Sequence, residues 1–202
     1  MSEIKYDEYL NIKSVGSRDW LDKSTDYNRY EATPYKALDQ LFKSYTLEKT
    51  DKLIDFGCGR GRVAFYTHNR FKIPVKGIEA NIITFDEALK NKANYRLKAS
   101  HINTSIDFEY CLAENYKVNL EDNRFYFFNP FSVRIFKQVI NNILESVKID
   151  NRCVDVILYY PTFQYINFLE KATSFKLINE TVISKTSDKA ERFLIYRING
   201  NT

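Results

Sequence analysis

The chain is predicted to be an α/β protein of the doubly wound kind, a three-layer sandwich around a mostly parallel seven-stranded sheet that ends in an antiparallel hairpin. Three observations predict this. Short apolar runs alternate with longer stretches of helical periodicity between residues 52 and 160. That alternation forces right-handed crossovers and a parallel sheet with helices on both faces. The run Leu53-Ile54-Asp55-Phe56-Gly57-Cys58-Gly59-Arg60-Gly61-Arg62 reads as a buried strand that stops at a glycine-rich turn and restarts as a helix. Two strand-like segments, 175–184 and 192–198, then follow each other across the polar turn 185–189, which is a hairpin signal.

The elements follow in order. Residues 1–28 are polar and charged, with scattered aromatics, and read as a mobile or partly helical arm. The arm, taken as residues 1–29, is a candidate lid on a domain spanning 30–202. Thr33 is placed to N-cap a helix whose first position is Pro34, with Leu38, Leu41 and Phe42 on its apolar face. Strand one is 52–56 and the helix after the turn is 60–70. Strand two is 74–79. A long helix over 82–98 carries Ile82, Phe85, Leu89 and Ala93 at helical spacing. Residues 105–112 alternate and form strand three. The aromatic run 124–129 suits a strand buried on both faces, and 131–147 is helical through Ile135, Val139, Ile143 and Leu144. Residues 154–160 form another buried strand, stopped by Pro161.

Composition narrows the class. With 202 residues, 44% hydrophobic and 28% charged, the chain fits one globular domain. The net charge of +4 is mild and its Lys and Arg are spread along the chain, so it neither supports nor excludes an anionic partner. The start has no apolar core of a signal peptide, and no run is long enough to span a bilayer. Cys58, Cys111 and Cys153 are widely spaced and so are His68 and His101, so no metal site is expected. Reduced thiols in a cytoplasmic protein are the plain reading.

The glycine turn carries the chemistry. Glycines at 57, 59 and 61 allow positive φ and close backbone approach. About two dozen residues on, Val75-Lys76-Gly77-Ile78-Glu79 reads as a second strand ending in a carboxylate. That pair outlines a nucleoside-binding crevice at the carboxyl end of a parallel sheet. The Gly-x-Gly-x-x-Gly spacing of dinucleotide enzymes is missing, because position 62 is Arg62. Asp55, two places before the first glycine, would repel a pyrophosphate and suits an ammonium or sulfonium. A nicotinamide enzyme is disfavoured on both counts.

Three pieces in order resemble the class I S-adenosylmethionine-dependent methyltransferases: Asp55-Phe56-Gly57-Cys58-Gly59-Arg60-Gly61, then Gly77-Ile78-Glu79-Ala80, then Phe127-Phe128-Asn129-Pro130-Phe131. The resemblance covers roughly residues 30–198 and implies the cofactor S-adenosyl-L-methionine. It implies that Asp55, Gly57, Gly59 and Gly61 hold the methionyl end and that Glu79, followed by Ala80, takes both ribose hydroxyls. A carboxylate is a good charge-assisted acceptor for a diol. The segment after strand three would meet the adenine through Ala113 and Glu114, with Leu112 where the family often has an acid. Tyr30 and Thr33, in the partly matching segment Tyr30-Glu31-Ala32-Thr33-Pro34-Tyr35, would fold over the cofactor, and its rings could shield a sulfonium.

The resemblance also bears on the acceptor. Many amino-methyltransferases of this class end the fourth strand with Asn-Pro-Pro-Tyr, where the Asn side chain and a backbone carbonyl accept the target N–H groups. Here Asn129, Pro130 and Phe131 stand there, with Asn129 also beside the cofactor. The expectation is an enzyme that methylates an amino group of a protein or small molecule. RNA methylation and cofactor binding without catalysis are the alternatives. The oligomeric state and the choice between nitrogen and oxygen stay open.

Overall fold

The computed structural model describes residues 2–19, 26–183, 188 and 190–200. Along the chain lie α1 (Glu3–Leu10), β1 (Ser17–Arg18), β2 (Tyr30–Glu31), α2 (Tyr35–Ser44), β3 (Leu53–Phe56), α3 (Arg62–Phe71), β4 (Val75–Glu79), α4 (Ile82–Lys98) and β5 (Ile106–Tyr110). A short 3-10 helix at Ala113–Asn115 follows, then β6 (Arg124–Phe127), α5 (Val133–Ile149), β7 (Val154–Tyr159), α6 (Phe163–Ala172), β8 (Lys176–Val182) and β9 (Arg192–Ile198).

The main sheet has seven strands in the order β5-β4-β3-β6-β7-β9-β8. Strands β3 to β7 pair in parallel, and β9 runs antiparallel between β7 and β8. Strand order reverses at β3, between β4 and β6, so the crevice at the carboxyl end of the sheet opens beside the glycine turn. All four residues of β3, β6 and the central part of β7 are buried, which explains their unbroken apolar character. Two apolar cores fill the faces. One joins α1, α2 and α3 to the sheet through Leu10, Leu38, Leu41 and Phe65; the other joins α5 and α6 through Ile135, Phe136, Val139 and Leu169. Each fully buried aromatic side chain in these cores removes a large apolar area from water.

Several expectations need correction. Helix α2 begins at Tyr35 with Pro34 as its cap, and no side chain caps it. The Thr33 hydroxyl is committed elsewhere, 2.8 Å from the buried Tyr126 hydroxyl. Helix α4 does not bury Ile82 and Leu89, which are exposed, and its inner face is Thr84, Ala88, Asn91 and Tyr95. Asn91 is drawn inward because it clamps backbone: it accepts from Lys13 N–H and donates to the Lys13 and Arg60 carbonyls. Helix α6, absent from the sequence reading, lies between Pro161 and β8, capped by Thr162. The hairpin strands are present, but the turn expected at 185–189 lies outside the described residues apart from Asp188.

The amino-terminal residues are no loose arm where they are described. Helix α1 is capped by Ser2 and buries Leu10. Its Asp7 carboxylate accepts from Ser14 N–H at 2.5 Å, from the Ser14 hydroxyl at 2.6 Å and from the Tyr35 hydroxyl at 2.7 Å. Arg62, buried at the start of α3, donates to the Ser14 hydroxyl, the Thr33 carbonyl and Glu3. These contacts bring residues 14–18 and 26–31 over the carboxyl ends of β3, β4 and β6.

Candidate cofactor and acceptor site

The glycine turn follows from β3 running out of sheet. Gly57, Gly59 and Gly61 all have positive φ, and Gly61 starts α3 from the left-handed region. The need for glycine is plainest at Gly59, where φ is +56° and an added Cβ would lie 2.0 Å from the Tyr30 ring. Gly57 and Cys58 both donate to the Ile78 carbonyl, at 2.9 and 3.0 Å, which ties the turn to the end of β4.

Glu79 ends β4 and is 7% exposed. Its Oε2 accepts the Gly59 N–H at 2.9 Å and its Oε1 the Asn81 N–H at 2.7 Å. Asn81 in turn caps α4 through Ile83 and Thr84. Burial raises the Glu79 carboxyl, and the backbone N–H groups partly offset that. Asp55, one strand over, is pushed up to about 8 by burial and then by the neighbouring Glu79. Among the described residues no cationic side chain offsets either shift. Two neighbouring buried carboxyls, each lifted by desolvation, would be relieved by a positively charged ligand beside them.

A covered cleft with about 50 Å³ of free space lies over these groups. Gly57, Glu79, Ala80, Ala113, Pro130 and Phe131 line it, all of them expected site residues, as does Tyr30 from β2. Asp55 and Thr33 line a smaller adjoining cavity that shares Tyr30 and Gly57 with the cleft. Asn129 lies on a third depression with Asn28, Arg29, Glu31 and Phe128. Gly59 lies under the Tyr30 ring, and Gly61 packs against Phe65 and Phe108. Glu114 faces the Tyr27 hydroxyl, which donates to it at 2.7 Å. Phe131 is almost wholly buried, edge-on to Phe127 and Tyr27, with its carbonyl bonded to the Tyr165 hydroxyl.

The covering segment expected ahead of strand one takes the form of a strap over the cleft, and sequence reasoning missed the contacts that hold it. Residues 26–31 run against the loop after β6. Tyr27 pairs with Phe131, Asn28 N–H donates to the Pro130 carbonyl at 2.9 Å, and Asn28 Nδ2 donates to the Asn129 carbonyl at 2.7 Å. Asp26 accepts from Ser132 N–H, the Ser132 hydroxyl and Arg134. The Tyr27 hydroxyl also accepts the Ala113 N–H at 3.2 Å. Burial raises both Tyr27 and Tyr30 well above an ordinary phenol. Asn81 and Arg18 were also missed. An Asn directly before an apolar run is an N-cap signal and could have found the first; nothing local marks the second.

The sheet order and reversal of β9 decide the fold. The chain aligns with an RNA methyltransferase from Salinibacter ruber in complex with S-adenosyl-L-homocysteine, at a TM-score of 0.55, over 85% of this chain and 96% of that one, with 14% identity. It has the class I methyltransferase fold. The same methyltransferase fold aligns with the cyclase SpnF at a TM-score of 0.60, covering 89% of this chain and 88% of that one at 14% identity. In sequence the chain is 25% identical over 187 residues to a malonyl acyl-carrier-protein O-methyltransferase from Bacillus anthracis, covering 89% of this chain and 56% of that protein. The chain thus spans about half the length of the curated relative it matches. No family model matches. The sequence match is to a methyltransferase, and the fold is the one class I methyltransferases share. No helix among the described residues is long and apolar enough to cross a membrane.

Proposed function

We propose that the chain is an S-adenosylmethionine-dependent methyltransferase working in the cytoplasm. The observation that carries this is Glu79: a buried carboxylate at the end of β4, fixed by the glycine turn of β3 and facing a cleft at the switch point of the sheet. Glu79 would take the ribose hydroxyls, Ala80 and Ala113 would flank the adenine, and Asp55 with Gly57 would face the methionyl end. When bound, the cofactor supplies an activated methyl on a sulfonium. The residues orient it and keep water away. In-line transfer needs a positioned nucleophile and no covalent intermediate, so orientation supplies much of the rate.

The acceptor in this reading is an amino group of a protein or small molecule. Support comes from Asn28, whose amide nitrogen donates to the Asn129 carbonyl. That is the kind of contact an acceptor amine would make, so the acceptor would displace the Asn28 amide. RNA is less supported, because beside Asn129 Arg29 pairs with Glu31 and Arg134 with Asp26.

A second reading is binding without transfer. Tyr30 seated on Gly59 favours it, since the covered cleft leaves about 50 Å³ open to water. Fold alone does not separate the two. Calorimetric titration with S-adenosylmethionine and S-adenosylhomocysteine tests both, followed by transfer of labelled methyl to amines, carboxylic acids and RNA. Micromolar binding with transfer supports the enzyme. Binding with no transfer to any acceptor supports the second reading. No binding overturns both.

A further inference from the structure

Arg18 sits outside every motif, yet it lines the cleft beside Glu79, Asn81 and Thr84. Its Nη2 is held by Glu87 Oε1 at 2.5 Å, one turn along α4 from Thr84, which lines the same cleft. Its register partner is Tyr30, the residue on Gly59. Arg60 donates from Nε to the other oxygen of the same Glu87 at 2.8 Å, so two guanidinium groups share one carboxylate and one positive charge is left over. The Arg18 Nε–H is buried and has no acceptor among the described residues. A buried donor without an acceptor is costly, and a charged one more so. The cost is relieved if the acceptor arrives with the ligand.

We infer that Arg18 is a cofactor-binding residue whose Nε–H donates to a ribose hydroxyl oxygen at the Glu79 end of the cleft. This rests on the cofactor proposed above. Each ribose hydroxyl gives its proton to Glu79 and keeps lone pairs on its oxygen, so a cationic donor on the opposite side completes recognition of the diol. The pairing also sets Arg18, which comes from the covering segment, against Glu79, which comes from the sheet. Cofactor binding would then tie that segment down. The anionic oxygens on the same ligand are those of its carboxylate, and the test separates a ribose contact from a carboxylate contact.

The test is calorimetric titration of wild type, Arg18→Met and Arg18→Lys with S-adenosylhomocysteine and with 5′-methylthioadenosine, which keeps the ribose and lacks the amino acid. Wild type should bind both. Both variants should lose about tenfold in affinity for both ligands, the loss expected of a charge-assisted bond. Loss with S-adenosylhomocysteine alone overturns the ribose assignment and moves the contact to the carboxylate. Full affinity in Arg18→Lys, which can still pair with Glu87, overturns the inference in favour of a structural ion pair. Unchanged affinity in both variants overturns it outright. If wild type binds neither ligand, the methyltransferase reading fails, and the inference with it.

Discussion

Glu79 and Gly59 hold the two halves of the crevice together: the Glu79 Oε2 accepts the Gly59 backbone N–H at 2.9 Å across adjacent strand ends. The carboxylate therefore shapes the turn as well as facing the cleft. Glu79→Gln tests this, because the amide nitrogen it introduces cannot accept from a backbone N–H. The variant should fold and should lose about 1.5–3 kcal/mol of affinity for S-adenosylhomocysteine, the range of a charge-assisted hydrogen bond. Calorimetry reads this directly. Unchanged affinity in the folded variant would remove Glu79 from the ribose site.

Asp55 should make stability depend on pH in the sense opposite to most carboxylates. Its folded-state pKa of about 8 lies above the ordinary value of 3.8, so between these limits the folded chain holds a proton that the unfolded chain has lost. Stability is then greatest below pH 4 as far as this group is concerned, declines as pH rises from about 4 to 8, and levels off above. Asp55→Asn should flatten that slope. Its melting temperature should therefore rise relative to wild type as pH climbs from 5 to 8. Melting curves from pH 5 to pH 9 measure it, and parallel curves for the two proteins would refute the shift. If the cofactor's positive groups lie beside Asp55, wild type should also release a proton on binding at pH 7, visible as a buffer-dependent heat that Asp55→Asn lacks.

Asn129 sits at φ +40° with its carbonyl bonded to Asn28, on the depression next to the cofactor cleft. Asn129→Ala should leave S-adenosylhomocysteine affinity within about twofold while slowing transfer by roughly 10²-fold, as loss of a positioning contact would. The left-handed backbone adds about 1 kcal/mol of strain for alanine, so Asn129→Gly is the control. Normal turnover in both variants would sink the acceptor-side assignment.

How much of this was legible in the sequence depends on how far apart the interacting residues lie. The positions of Asp55, the three glycines and Glu79 at the strand ends were readable because each is fixed by a short contiguous run. A covering segment was expected but its attachment was not readable, because Asn28 meets Asn129 and Pro130 across about a hundred residues and its polar side chains announce no partner. Helix α1 was hidden for a related reason: one of its two buried residues is Asp7, which reads as surface until Ser14 and Tyr35 are placed against it. In α4 the apolar residues misled. Ile82 and Leu89 face out, while Asn91 faces in to bond the carbonyls of Lys13 and Arg60. Periodicity of hydrophobicity finds a helix but misplaces its inner face when backbone from a distant segment needs a buried amide.

Arg62 is the residue on which that distant segment depends. It is 4% exposed, with its guanidinium 4.5 Å from the centre of the Tyr35 ring, and it bonds the Ser14 hydroxyl at 2.7 Å, the Thr33 carbonyl at 3.2 Å and Glu3. Residues 3, 14 and 33 thus converge on one side chain at the first turn of α3, beside the glycine loop. Arg62→Ala removes the cation, leaves three acceptors without a donor and opens a cavity over Tyr35. A loss of about 1–3 kcal/mol is expected for the buried acceptors left without a donor. Because the segment covering the cleft is attached through these bonds, amide exchange should quicken first in residues 3–18 and 26–31, with the strands of the sheet still protected. Arg62→Lys keeps the charge but not the forked donors, and should fall between the two. Uniform exchange across the whole chain in Arg62→Ala would show that the amino-terminal segment is held by its apolar contacts at Leu10 and Ile12 and not by this arginine.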